Sequence, residues 1–548
     1  MTTERTTPRA ASTPAALDAA HVGDIRGGLG TIHLSDTAVR RGTFAKLKIL
    51  LAIVGPGLIV MVGDNDAGAF STYSQTGQNY GTSLLWTLLL LVPVLYVSQE
   101  MVLRLGAVSG VGHARLILER FGKFWGAFSV IDLFILNALT IVTEFIGITL
   151  ATGYLGLPKL PSVILAVAIV IGAVSTGSFR RFERICLVLI AGSLVLIPIY
   201  VMVHPPIGEM VHHSLVPGFP KGAQVSTVML LVIGIVGTTV APWQLFFQQS
   251  YIIDKRITTR FINYERMDLC IGIVIVVVGA AMMMGFTAAT FAGTPGFGHF
   301  TNAAGVASGL NTYVSRAAGD LFAIALLDAS TIGAAAVGLA TAYASADILG
   351  VNHSLHRSIT SAKGFYLSYA GLMIVAATIV LIPGAPLGLI TEGVQTLAGV
   401  LLPSAVVFLL LLCNDKAVLG PWVNGTKLNM LTAAIIWILI LLSLILTASV
   451  LFPGIGSTEI EAILFGGVAI GAVIGSVLLA RWRRSSRDEP KVTLSLADKQ
   501  AWRMPAISLL TKPALSRQAR IGLIAMRAYL AIAVVLVVVK VIVVAVGG

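Results

Sequence analysis

The chain is written as a succession of apolar runs of about 20 residues each, the length a helix needs to cross the hydrocarbon of a bilayer. Few folds are open to such a chain. Inside lipid every backbone N–H and C=O must find a partner within the protein, so spanning segments are helices. Only 11% of the residues are charged, where a soluble domain carries about a quarter. The loops between the runs orient them. Basic residues recur in every second loop: Arg40, Arg41, Lys46 and Lys48, then Arg115, Arg120 and Lys123, then Arg180, Arg181 and Arg184. The series continues through Lys255–Arg266, Arg357 and Lys363, Lys416 and Lys427, and Arg481–Arg487, whereas the other loops hold little beyond Lys159, Lys221 and Arg316. The positive-inside rule makes the basic side cytoplasmic, with the N-terminus on it, in a multi-pass protein of the cell membrane. Distributed in this way, the net charge of +12 speaks for a lipid bilayer as partner and against nucleic acid. No protein partner is implied. Cys186, Cys270 and Cys413 are scattered, so no disulfide framework or thiolate metal site is expected.

Two of the apolar runs are interrupted halfway. The first reads GPGLIVMVGDNDAGAFSTYSQTG over residues 55–77, with Asp64, Asn65 and Asp66 at mid-span. An ionised carboxylate there is expensive and marks an ion or substrate path by default. The sixth run reads LLVIGIVGTTVAPWQLFFQQS, in which Pro242 removes a backbone donor and crowds the preceding turn, so the helix should break there. The two interruptions lie five spans apart. Five is odd, so two five-helix units have opposite orientations, the arrangement of transporters built from inverted repeats with the site between two discontinuous helices. The expected fold is all-α and polytopic, a leucine-transporter-type 5+5 inverted repeat with helices 1 and 6 discontinuous and further C-terminal helices.

The expected organisation is a disordered cytoplasmic tail over 1–45, a first five-helix repeat over 46–203 and an extracellular loop over 204–225. A second, inverted repeat follows over 226–412, helices 11 and 12 over 413–480, a cytoplasmic linker over 481–524 and an extra transmembrane helix over 525–548. Glu144 lies near mid-depth of helix 3 and Gln395 in the outer part of helix 10. Asp328 in helix 8 has two open readings, a carboxyl bonded to neighbouring helices or a group lining the path. Glu100 and Arg104, at i and i+4, read as an interfacial ion pair, and His212–His213 as a solvated loop pair. No nucleophile–base set, HExxH or phosphate loop occurs, so no enzyme is expected and no cofactor.

The run GPGLIVMVGDNDAG resembles the first-helix motif of the natural-resistance-associated macrophage protein (Nramp) family of divalent-metal transporters, GPG followed by DPGN, and the alignment puts the family's Asp at Asp66. The similarity continues through SQEMVLRLGAVSGVGHA, TEFIG, GSFRRFE, Gln395 and CNDKAVLG, from about Gly55 to Asn424. The departures bear on cargo. Where the family has MPHN in helix 6, this chain has Ala241, Pro242, Trp243 and Gln244, so the thioether ligand is gone; the family's Asn of DPGN is Ala69. Thioether sulfur selects softer transition metals, whereas magnesium prefers oxygens and keeps much of its water. The family's histidine is Trp243, its acidic residue one turn before Glu144 is Ile141, and its ninth-helix arginine pair has no counterpart.

This pattern is similar to the prokaryotic Nramp-related magnesium transporters, which implies uptake of Mg2+, and Mn2+ as well, without obligatory proton coupling. The resemblance implies Asp66 as the main anionic ligand. Asp64 is either a second ligand, aimed inward by a near-extended segment, or a vestibule carboxylate that concentrates cations. The carbonyls near Thr239, Val240 and Ala241 and the amide of Gln244 are expected to supply oxygens, and Gln395 to hold a ligand or a bound water. Glu144, Asn65, Thr239, Trp243 and Asp328 are expected to line the path or to remain from a proton relay. The rival readings are a proton-coupled Mn2+/Fe2+ transporter and a Na+-coupled organic-solute symporter of the same fold.

Overall fold

The computed structural model describes residues 18–36, 42–220, 222–452, 455–485, 495–510 and 522–524. Among these, ten helices are long and apolar enough to cross a membrane. With the interrupted first span and the shorter apolar helix Lys159–Val174, the elements fall where the apolar runs place them. The first span is Pro56–Gly63 and Ala67–Tyr80, followed by Trp86–Ser109, Lys123–Tyr154, Lys159–Val174 and Phe179–Val203. The second set opens with the sixth span, Val225–Thr239 and Pro242–Asp254, followed by Ile262–Phe291, Arg316–Leu349, Lys363–Val380 and Leu387–Cys413. Thr426–Leu451 and Ser457–Ser485 are the eleventh and twelfth spans, the latter packed on the former at the edge of the bundle. This is the 5+5 inverted-repeat fold, and it sets the two broken spans at its centre.

Two close approaches fix that centre. A Cβ on Gly237 would lie 2.1 Å from the Gln395 carbonyl oxygen and 2.4 Å from the Gly399 nitrogen, and one on Gly399 would lie 2.6 Å from the Ile233 carbonyl. The outer half of the sixth span and the tenth therefore touch backbone to backbone, as small residues allow between membrane helices. The other contact is at the basic end, where Gly55 takes φ +155° and a Cβ would sit 2.1 Å from Glu183 Oε1. There the helix Thr43–Ile53 meets Pro56–Gly63 at 55°.

The bend is held by buried charge. Lys255, wholly buried, donates from Nζ to Glu183 Oε1 at 2.7 Å and to the carbonyls of Ile53 and Val54 at 2.5 and 2.9 Å. The start of Pro56–Gly63 has N–H groups with no helical acceptor. Asp268, on the seventh span, accepts those of Gly55, Gly57 and Leu58 at 3.1, 2.7 and 3.3 Å. The expected Glu100–Arg104 pair is present at 3.1 Å and is part of a larger set: Arg266 of the seventh span reaches Glu100 at 2.6 Å, and Arg104 reaches Asn424 at 2.6 Å.

Three expectations need correction. The N-terminal tail is not free over residues 18–36. Asp18 pairs with Arg357 at 2.6 Å, Ala20 accepts from Arg256 at 2.8 Å, Gly27 accepts from Arg180 at 3.1 Å, and the Gly28 N–H donates to Glu183. A short two-stranded ribbon, Ile25–Arg26 with Thr31–Ile32, sits in this segment, and the fold around it is all-α as expected. The loop over 204–225 contains the helix Ile207–Leu215, and His213 bonds Thr82 at 2.7 Å. The linker folds back at Leu496–Ala501, where Trp422 Nε1 donates to the Lys499 carbonyl and Thr259 to that of Gln500, each at 2.8 Å. The extra helix expected over 525–548 lies outside the described residues.

Two measurements check this packing. Gly237→Ala should destabilise the protein by about 1–3 kcal/mol, because backbone atoms cannot swing aside; the unfolding temperature in detergent reports it. The second concerns His353, in the loop after the eighth span. Burial disfavours its charge, but Asp347, 3.0 Å away, and the Val351 carbonyl outweigh it and push the imidazole up to about 9 from 6.5. A folded value above the unfolded one stabilises fully below pH 6.5, and that contribution is lost as pH rises through 9. Between those limits wild type should lose about 3 kcal/mol that His353→Gln does not lose, read as unfolding temperature against pH.

Candidate metal site

The first span stops at Gly63 because the chain turns there and does not unravel. The N–H groups of Asp64 and Asn65 reach back three residues, to the carbonyls of Met61 and Val62 at 3.3 and 3.1 Å. Asp64 keeps helical angles, φ −81° and ψ −20°, whereas Asp66 is extended, at φ −78° and ψ −171°. The near-extended segment expected from sequence is thus a break of three residues. Asp66 caps the helix that follows, accepting the Ala69 N–H at 2.9 Å, as an N-terminal aspartate does. Capping occupies one of about four lone-pair positions on a carboxylate, so others stay open to a cation.

The sixth span breaks at Val240 and Ala241, both outside helical angles, and Pro242 opens the next half, where its missing N–H would have had no partner in any case. Two helix C-termini, at Gly63 and Thr239, therefore end at the centre of the bundle, and such ends favour cations. The Ala241 carbonyl accepts the Gln244 N–H at 3.2 Å. A carbonyl oxygen has a second lone pair.

Asp64 is fully buried and Asp66 is 3% exposed. Among the described residues the polar neighbours of the Asp64 carboxylate are Asp66 and the Gln244 amide, the latter close but poorly aligned for a hydrogen bond. Gln244 does not present its oxygen as expected. Its Oε1 accepts from Gln99 Nε2 at 3.1 Å, which turns its NH2 toward the aspartates, and that NH2 has no aligned acceptor. Turning both amides over would exchange the roles. Gln395 belongs to the site: its Nε2 lies over Gly68, where a Cβ would be 1.8 Å from it and 3.1 Å from Asp66 Oδ1. Glu144 Oε2 accepts the Ala67 N–H at 3.1 Å, beside Asp66 and against Gly333, while its Oε1 has no partner.

Other expected residues lie at the rim or away. Thr239 bonds the Tyr73 hydroxyl at 2.7 Å and ties the broken end of the sixth span to the outer half of the first. Trp243 is buried near Gly63 with its indole edge-on to Phe247. Asn65 turns away from the centre and donates to the Val276 carbonyl of the seventh span at 3.3 Å. Asp328 is not at the site. It is half-buried against Gly192 of the fifth span, where a Cβ would lie 2.8 Å from both its oxygens, so the path-lining reading fails on position.

The sequence reading missed Tyr73, Gln99 and Gln248. Tyr73 is seven residues after Asp66, two turns along the same face. Gln248 and Tyr251 follow Gln244 at i+4 and i+7, are buried, and have side-chain polar atoms without partners. That spacing was the available signal, a polar stripe running from the break toward the basic end. Among the described residues no three His, Cys, Asp or Glu side chains gather as a metal-binding group. What the centre offers a cation is the carboxylates of Asp64 and Asp66, amides and backbone carbonyls.

Known proteins can now be set beside this geometry. Residues 57–449 match the family described as natural resistance-associated macrophage protein-like. The divalent metal cation transporter MntH of Ralstonia nicotianae is 28% identical over 411 residues, 72% of this chain and 88% of that protein. MntH of Lacticaseibacillus casei is 26% identical over 433 residues, 74% of this chain and 90% of its own length. Among solved structures, the manganese transporter of Eremococcus coleocola superposes with a TM-score of 0.60 at 22% identity, covering 81% of this chain and 97% of that one. The matched stretch takes in both discontinuous spans and the residues gathered around Asp66, and the chain belongs to the Nramp family.

Proposed function

We propose that this chain is a transporter, not an enzyme, that carries divalent metal cations into the cell, Mg2+ above all and Mn2+ with it. One observation carries the reading: Ala241 stands at the break of the sixth span, so the donors around Asp66 are oxygens and amides with no thioether among them. A hard dication suits such donors, and a small side chain at 241 leaves room for part of its water shell. Asp66 is the anionic anchor, with Asp64 beside it. Gln395 positions the anchor or a bound water, and Gln244 serves through its oxygen once its amide turns over. With the basic end cytoplasmic, a membrane potential supplies about 4.6 kcal/mol per 100 mV to an entering dication, twice the value for a single charge. No proton relay is needed, and Glu144 is the remnant of one.

The second reading is proton-coupled Mn2+ uptake. It is favoured by the manganese transporter among the structural neighbours and by the place of Glu144 beside Asp66. Uptake into proteoliposomes with and without an imposed pH gradient separates the two. Mg2+ entry with no movement of protons is the expected result, and Asp66→Ala should abolish it. Mn2+ entry that acidifies the lumen, with Mg2+ excluded, would establish the second reading instead. Ala241→Met should shift the preference toward Mn2+ and Cd2+ and reduce Mg2+ entry by about tenfold, the effect of one ligand exchanged.

A further inference from the structure

The polar stripe that leaves the break of the sixth span at Gln244 runs through Gln248 to Tyr251, toward the basic end. It stops at a stack of rings. The Tyr251 ring lies 4.7 Å from that of Phe179 and 5.0 Å from that of Phe247, centre to centre, and Phe179 in turn stacks on His356 at 5.2 Å. Phe179, Phe247 and Tyr251 are wholly buried. The stack joins three elements: the inner half of the sixth span, the start of the fifth, and the loop after the eighth. A cation with water around it cannot pass between apolar rings in contact, because its charge would lose that water with nothing in exchange.

The N-terminal stretch 18–36 is fastened to the same three elements. Asp18 accepts from Arg357 Nε and Nη2 at 3.0 and 2.6 Å and from the His353 N–H at 3.0 Å, all in the loop after the eighth span. Its side chain is 1% exposed, and a carboxylate gripping a guanidinium out of water makes a firm contact. Arg256, just past the end of the sixth span, donates to the carbonyls of Ala20 and Asp24 at 2.8 and 3.1 Å. Arg180 and Arg184 of the fifth span donate to those of Gly27 and Gly28 at 3.1 and 2.8 Å. Gly27 also lies backbone to backbone on the helix that leads into the first span, where a Cβ would be 2.0 Å from the Ala52 carbonyl oxygen. These elements cannot part without breaking bonds to the stretch that crosses them.

We propose that residues 18–36 are a strap that locks an inner gate, and that Gln248 and Tyr251 line the way out behind it. Seated, the strap holds the fifth span, the sixth span and the loop after the eighth around the Phe179–Tyr251 stack. It must lift for a dication to leave Asp66 along Gln244, Gln248 and Tyr251. Among the described residues the Gln248 amide and the Tyr251 hydroxyl are buried without partners. Such groups cost free energy in a closed protein, and an ion passing with its water supplies the partners they lack. Given inward transport as proposed above, a gate at this place serves whichever dication is carried, and its test reads no transport.

Full-length protein carrying Gln248→Cys and Cys270→Ala is placed in vesicles with its basic end outward, free of divalent metal. A charged, impermeant methanethiosulfonate is added outside, and the labelling rate of the new thiol is followed by mass spectrometry; protein that keeps Gln248 is the blank for Cys186 and Cys413. Asp18→Ala and Gly27→Ala should each raise that rate about tenfold or more, the first by loss of charged hydrogen bonds and the second because the Ala52 backbone cannot give way. Amide exchange over residues 18–36 reports that the strap has lifted, and unfolding temperature that the variants fold. Should Gln248→Cys not fold, exchange of the Pro242–Asp254 amides in chains that keep Gln248 takes its place. An unchanged rate at position 248 with the strap exchanging freely overturns the proposal, as does a strap that stays protected when both substitutions are combined. An equal rise in Glu119→Ala, which breaks a 2.7 Å pair with Arg115 away from the strap, overturns it too.

Discussion

A carboxylate that caps a helix in the middle of a membrane is the interaction on which the site depends. A break in a spanning helix leaves N–H and C=O groups that lipid cannot satisfy, so it persists only where something in the protein takes them up. Asp66 takes the Ala69 N–H, and Glu144 takes that of Ala67 from the third span. Both acids stand with Asp64 at the centre of the bundle. The break in the first span and the acidic character of the centre therefore arise together.

The same device is repeated at the basic end. Asp268 takes three N–H groups at the start of the inner half of the first span, and Lys255 takes the carbonyls of Ile53 and Val54 just before it. The eight-residue half-span Pro56–Gly63 is thus held at its start by Asp268 of the seventh span, beside the carbonyls that Lys255 takes, and it closes in its own turn at Asp64. A helix this short has little stability of its own. Its position is set by those partners, and the docked N-terminal segment reaches the same set through Glu183.

The breaks were legible in the sequence, because Pro242 and the run DNDAG are anomalies inside apolar stretches and the physics of lipid gives such anomalies few meanings. The inverted arrangement followed from their spacing. Asp66, Glu144 and Gln395 were legible with them. What was not legible depends on partners remote in sequence. The stretch over residues 18–36 has no apolar run, and it is held by Arg180, Arg256 and Arg357, far along the chain. The direction of the Gln244 amide is decided by Gln99, and the place of Asp328 by Gly192. The first break was expected to be near-extended and is instead a turn at Asp64, since composition tells that a helix stops but not how tightly it turns.

The glycine contact between the sixth and tenth spans has a mechanical meaning. With Gly237 seated against the Gln395 carbonyl and Gly399 against that of Ile233, no side chain lies between the two backbones to act as a lubricant. Sliding one past the other would drive carbonyl oxygens into Cα atoms, so the outer half of the sixth span and the tenth rock as a single lever. The amide of Gln395 then rides with the severed end at Thr239, and whatever alternation of access the protein performs must pivot elsewhere, at the three-residue elbow before Ala67 or at the Val240–Ala241 joint.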